Sequence, residues 1–264
     1  YSTTMDFLPE MLPSDADVDV YAAGVGTALL SCPDPSLARS LLFQYAYNHA
    51  RRGCNVLYMC TARAELEHSL FACPRMAHEG PAPKASACGG EVLERIKIKY
   101  VQDHGALRTF LAAVHLLPAP MPAVLVIEHM DVLSSCGGEK AHHGVHRGHV
   151  LRTLAVARNA AEFFAATRAD GQRPSLLMGM VEPQPPEQGL MDASPRYHCF
   201  DRHLHVRGPF SCPNAPCTYE VADTASPARA RFELQRESPS GTGWMQLIPL
   251  EPQSAHSRAR LDVR

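Results

Sequence analysis

The stretch that most constrains the fold is Thr27 to Cys60, where an apolar strand, a helix and a second apolar strand follow one another with sharp punctuation. Thr27-Ala28-Leu29-Leu30 breaks at Cys32-Pro33-Asp34-Pro35, a helix is expected over residues 37–51, and Gly53 supplies its C-terminal stop. Asn55-Val56-Leu57-Tyr58-Met59-Cys60 then reads as the next strand. Two strands joined by one helix make a βαβ unit, in which the strands run parallel and the helix covers one sheet face.

The alternation continues. Residues 73–90 are rich in Pro, Ala and Gly and read as a loop. Arg95-Ile96-Lys97-Ile98-Lys99-Tyr100 alternates strictly, which predicts a strand with Ile96, Ile98 and Tyr100 on a buried face. A helix is expected over 105–117, and after the Pro118-Ala119-Pro120 break the run Ala123-Val124-Leu125-Val126-Ile127 suits a strand covered on both faces, ending in Glu128. A glycine and histidine loop over 136–148 precedes a helix over 150–168 and a buried strand over 175–181. Short strands follow over 203–206, 218–221, 229–235 and 244–248, with turns at Gly208-Pro209 and Ser240-Gly241. The pattern predicts an α/β domain with a mostly parallel central sheet extended by C-terminal antiparallel strands. It spans residues 23–250, between a flexible lead, 1–22, and a disordered tail, 251–264.

At 264 residues, 45% hydrophobic and 20% charged, the chain suits one medium-sized domain with a real core. A net charge of -2 supplies no global field toward nucleic acid, so any such contact must come from a local basic patch. Nine cysteines, with Cys32, Cys54 and Cys60 in or beside apolar strand patterns, fit buried free thiols in a reducing compartment. No secretory leader stands out, and no apolar run approaches the ~20 residues that cross a bilayer.

The loop between the first strand and helix has the outline of a phosphate-binding P-loop without its glycines. A working G-x-x-x-x-G-K-[ST] loop curls backbone N–H groups around phosphates, with a lysine on the terminal phosphates and a hydroxyl on magnesium. In the best register Pro33 and Ala38 stand for the glycines, Arg39 for the lysine, and Ser40 keeps the hydroxyl. Pro33 and Pro35 remove N–H donors, and Asp34 places a negative charge where a polyphosphate would lie. ATP and Mg2+ are therefore doubtful ligands. An ordinary turn and helix, with Ser36 near the N-cap, accounts for the same residues.

Other candidates have competing readings. Arg95, Lys97 and Lys99 share one strand face and can track phosphates, or simply solvate an edge. Arg51 and Arg52 suit a helix C-terminus. His142, His143, His146 and His149, and separately Cys199, Cys212 and Cys217 with His198, His203 and His205, contain metal-ligating types but lack paired C-x-x-C knuckles. No metal site is assigned to either group, and no nucleophilic triad stands out.

An apolar strand ending in an acidic residue, Val124-Leu125-Val126-Ile127-Glu128, is the form of the second nucleotide motif of RecA-type ATPases, with Glu128 where aspartate is usual and Asp131 three residues later. Further matches are Leu41-Leu42-Phe43, Val56-Leu57-Tyr58, Leu93-Glu94-Arg95-Ile96-Lys97-Ile98-Lys99-Tyr100, and Leu107-Arg108-Thr109-Phe110-Leu111 through Pro118, Pro120 and Pro122. Leu176 to Val181, Pro195-Arg196-Tyr197 and a tryptophan-containing hairpin ending Leu247-Ile248-Pro249 complete the order. Together they resemble the SWIM-protein-associated ATPase family, a divergent branch of RecA-like recombinase paralogues, over about residues 27–250. The P-loop departs from the intact form that members can carry.

The resemblance implies a RecA-like core with Glu128 in the catalytic position. It also implies a nuclear role in homologous-recombination DNA repair, with a SWIM-type zinc-finger protein, a recombinase and single-stranded DNA as partners. A chain of this kind is expected to need its partner, as a heterodimer. The competing enzymatic reading is an active, single-stranded-DNA-stimulated ATPase using Arg39, Ser40 and Glu128. A small-molecule kinase would need a lid and substrate clamp that the sequence does not offer.

Overall fold

A computed structural model describes residues 26–63, 88–128, 143–167, 175–181, 200–210, 217–223, 229–236 and 245–250. The expected lead and tail, the turn at Ser240-Gly241, Pro195-Arg196-Tyr197, Trp244 and most of the 73–90 loop lie outside them.

Strand β1 (Thr27–Cys32) leads into helix α1 (Pro35–Arg51) and strand β2 (Val56–Cys60). Helix α2 (Cys88–Glu94) precedes β3 (Ile96–Tyr100), and helix α3 (His104–Ala112) with a short 3-10 turn precedes β4 (Val124–Ile127). Helix α4 (His143–Thr167) and β5 (Ser175–Val181) come next, followed by β6 (Arg202–Phe210), β7 (Cys217–Asp223), β8 (Arg229–Arg236) and β9 (Met245–Leu250). The nine strands form one sheet in the order β3-β2-β4-β5-β1-β6-β7-β8-β9. Strands β3 through β6 in that order pair parallel, and β6 to β9 pair antiparallel. The expected class, a mostly parallel α/β sheet with an antiparallel C-terminal extension, is the class observed.

The central strands are apolar on both faces because helices lie on both. Ala28, Leu30, Tyr58, Val126 and Leu177 pack under α1, with Leu41, Tyr45 and Ala46. Leu29, Met59, Ile127 and Met178 face the opposite layer, where Leu107 and Leu111 of α3 meet Leu154 and Phe164 of α4. This two-sided burial is the reason β1, β2 and β4 read as continuous apolar runs. Among the described residues no helix is long and apolar enough to cross a membrane.

Four expectations are corrected. Cys88, Gly89 and Gly90, read as loop, open helix α2. Residues 143–148 also belong to a helix: α4 begins at His143 and runs through Gly144 and Gly148 despite their low helix propensity. Gly208-Pro209 is not a turn but lies inside β6, at a register shift between Arg207 and Phe210, and Gly208 supplies the φ of +122° there. Strand β3 does not bury its whole apolar face. It is the sheet edge, and although Ile96 is buried, Ile98 and Tyr100 are 39% and 42% exposed.

Candidate functional site

The loop after β1 ends in Asp34, whose extended backbone makes it the N-cap of α1. Its Oδ1 accepts the N–H groups of Ser36 and Leu37, at 2.8 and 3.1 Å, and its backbone carbonyl accepts that of Ala38 at 2.9 Å. Pro35 has no N–H. The donors that a helix start leaves open, which in a P-loop turn toward phosphate, are therefore taken by the chain's own carboxylate or absent. The cap expected near Ser36 is Asp34, two residues earlier, and its carboxylate puts a negative charge at the helix N-terminus, where a P-loop holds phosphate.

The next positions are equally occupied. Ala38 is fully buried in the core, and half-buried Pro33 sits in the loop itself. Ser40 is buried and donates its hydroxyl to the Ser36 carbonyl at 2.8 Å, a bond back into its own helix. Arg39 turns inward, 5% exposed, and its Nε donates to Oε1 of Glu128, which is 1% exposed. Tyr58 on β2 donates its phenol to the other carboxylate oxygen at 3.2 Å, with Phe43 of α1 edge-on to its ring at 5.7 Å. Burial first, and the Glu128 carboxylate second, hold the Tyr58 phenol well above its ordinary pKa, so it remains a donor. The Glu128 N–H is fixed on the Met59 carbonyl at 2.9 Å.

Of the residues the sequence singled out, the structure joins Arg39 to Glu128, while Ala38 and Ser40 bond back to Asp34 and Ser36 within the loop and its helix. An arginine in the lysine position and a carboxylate in the magnesium position satisfy each other in a dry core. Such a pair is held strongly against loss of either partner, because the survivor would be a lone buried charge. Cys32, at the end of β1, donates to the Asp34 carbonyl at 3.3 Å, and burial pushes its thiol up to about 12, so it stays protonated and unreactive.

The three cations expected on one face of β3 are divided between its two sides. Lys97 and Lys99 pair in register with Leu57 and Met59 and so lie on the α3/α4 side, where the Lys99 ammonium sits 5.1 Å over the Phe110 ring. Arg95 precedes the strand, and its guanidinium donates to the Ala50 carbonyl near the end of α1, in the opposite layer. That contact replaces the expected third phosphate ligand with a helix C-terminal bond.

Of the histidine and cysteine groups, His142, His198, Cys199 and Cys212 lie outside the described residues, while Cys217 lies in β7. Among the described residues no group of three or more His, Cys, Asp or Glu is placed to hold a metal. His203 and His205 are buried side by side on β6, ring centroids 6.4 Å apart. His205 is opposite Ser31 in the β1–β6 register, and among the described residues neither His205 Nε2 nor Ser31 Oγ has a hydrogen-bond partner. Burial, and then His203 and Arg207, lower the His205 pKa to about 4. Sequence reasoning singled out His149 but not the neighbours it meets in a polar cluster. Buried His104 meets Thr153 Oγ1 at 3.1 Å and stacks on His149 at 6.3 Å, while Arg108 reaches His149 Nδ1 and Thr153 Oγ1, each at 3.4 Å. Thr153 donates to the His149 carbonyl, so its oxygen is left to accept from Arg108 and His104. This cluster ties α3 to α4, and the only sequence signal for it was the polar spacing on two otherwise apolar helices.

Among solved structures, the chain is similar to a KaiC-like protein from the hyperthermophilic archaeon Pyrococcus horikoshii, with 14% identity, 85% of this chain and 89% of that chain covered, and a TM-score of 0.49. No protein-family model matches the sequence, and no curated protein matches it.

Proposed function

We propose that this chain is a RecA-like scaffold without nucleotide chemistry. It acts as a nuclear mediator of homologous-recombination DNA repair, pairs with a SWIM-type zinc-finger protein, associates with the recombinase and binds single-stranded DNA. The observation that carries the loss of nucleotide chemistry is the buried Arg39–Glu128 pair beneath a helix already capped by Asp34. The RecA-like reading draws on strand order: β1 with its loop and helix, β5 beside it and β4 next, all parallel, set Glu128 against α1. The mediator reading rests on the ordered sequence resemblance. It gains support from the β3 edge, where Ile98 and Tyr100 are 39% and 42% exposed, and from Leu93 of α2, 48% exposed, which together leave apolar surface for a partner.

Titrating labelled ATP with magnesium against the pure chain tests the first half. Little or no binding is expected, and micromolar affinity lost in Arg39→Ala would overturn it in favour of a working ATPase. For the second half, size-exclusion chromatography should show self-association or aggregation of the chain alone and a defined complex with a SWIM-type protein. A stable monomer that gains nothing from that protein would refute the partner reading.

A further inference from the structure

We infer that the face running from the β3 edge across α3 to α4 is a docking surface for single-stranded nucleic acid, with Lys97, Lys99 and Arg152 as its phosphate contacts. This rests on the nucleic-acid part of the function proposed above and assigns it a place. The chain as a whole carries net charge -2, so a basic face must be built locally. Lys97 and Lys99 are exposed on the same side of β3, about 6.6 Å apart at the rise of two strand residues, a repeat that an extended polynucleotide backbone can follow. Neither lysine, nor exposed Arg152, is in an ion pair among the described residues.

Contacts link these cations into one surface. Lys99 lies over Phe110 of α3, which is half-buried. Two residues earlier, Arg108 reaches His149 and Thr153 of α4, and Arg152 is the exposed neighbour of Thr153. Helix α3, HGALRTFLA, contains no carboxylate, and exposed Ala106, Thr109 and Ala112 present a small neutral flank. The carboxylate nearest to its start, Asp103, is spent on the Ala106 N–H, and exposed Glu162 lies ten residues, about 15 Å, beyond Arg152 along α4. In the opposite layer exposed Arg51 and Arg52 are accompanied by exposed Glu91 and Glu94 of α2, and Arg95 there is engaged with a helix carbonyl. Cations beside an aromatic ring suit an unpaired strand, whose backbone and bases are both accessible.

The test is fluorescence anisotropy of the full chain with labelled dT30, an equal-length duplex and heparin between 50 and 200 mM salt. Binding to dT30 should be strongest and fall with salt. Lys97→Gln with Lys99→Gln should weaken it by about tenfold or more and flatten the log–log salt slope by about 1.4, the value for two lost contacts to a single strand. Arg152→Gln, on the helix, should flatten it by about 0.7 and serves if circular dichroism shows the strand variant misfolded. Arg51→Gln with Arg52→Gln, in the opposite layer, should change neither quantity. If dT30 binds and these variants leave the slope unchanged, the surface is wrong while nucleic-acid binding stands. If no oligonucleotide binds at 50 mM salt, or heparin and duplex bind as tightly as dT30, the inference fails together with that part of the proposed function.

Discussion

Replacing Glu128 by Gln separates a structural ion pair from a magnesium ligand. The amide keeps the shape and still offers an oxygen to the Tyr58 phenol, but its NH2 then faces the Arg39 Nε–H, so the change removes both the charge and the acceptor that buried Arg39, 5% exposed, uses there. Losing one member of a buried pair costs about 3–5 kcal/mol. For a chain of this size each kcal/mol moves the midpoint by roughly 2–4 °C, so Glu128→Gln should melt about 6–20 °C lower by circular dichroism. Arg39→Met should cost a similar amount. The double variant, Arg39→Met with Glu128→Gln, has no lone charge and should recover most of the loss, giving a large favourable coupling in a double-mutant cycle. In a working ATPase the same glutamine substitution would act on nucleotide turnover and leave the empty fold stable. A loss below about 1 kcal/mol for Glu128→Gln, with no recovery in the double variant, would refute the closed-site argument.

Two further outcomes follow from neighbouring features. His205 has a folded pKa of about 4, below the ordinary histidine value of about 6.5, so the unfolded chain takes up the proton first. Its contribution to stability is whole above about pH 6.5 and is lost as pH falls toward 4, by about 2 kcal/mol between pH 6.5 and 5. Urea unfolding at those pH values should show this, and His205→Phe should flatten the dependence. Gly53, which follows α1, has φ of +85° and open space where a Cβ would go, so Gly53→Ala should cost roughly 1 kcal/mol from backbone strain alone, with Gly53→Asn milder in thermal melts.

The order of elements was legible because the signals are local. Apolar runs, Gly53 and the proline breaks fix where strands and helices alternate, and β5 matches its expected bounds residue for residue. The boundaries that moved are those where glycines read as breakers stay inside an element, as at the start of α4, or where one glycine carries a strand through an irregularity, as at Gly208. At the site, the P-loop residues could be named from spacing, but not their mutual use. Arg39 and Glu128 are 89 positions apart, and only the sheet order brings α1 against the end of β4. Their opposite charges in the two nucleotide positions were the available clue. Strict alternation in β3 misled for the converse reason: period two shows which residues share a face, and an edge strand need not have that face covered.

The Asp34 cap also decides how the fold answers to its surroundings. A protein that holds its helix terminus with a bound phosphate gains stability as RT ln(1 + [L]/Kd), and that gain rises and falls with ligand supply. Here the anion is covalently part of the chain and its effective concentration never changes. On the proposed reading, the stability this anion gives α1 does not vary with nucleotide supply, and switching acts through the outer surfaces.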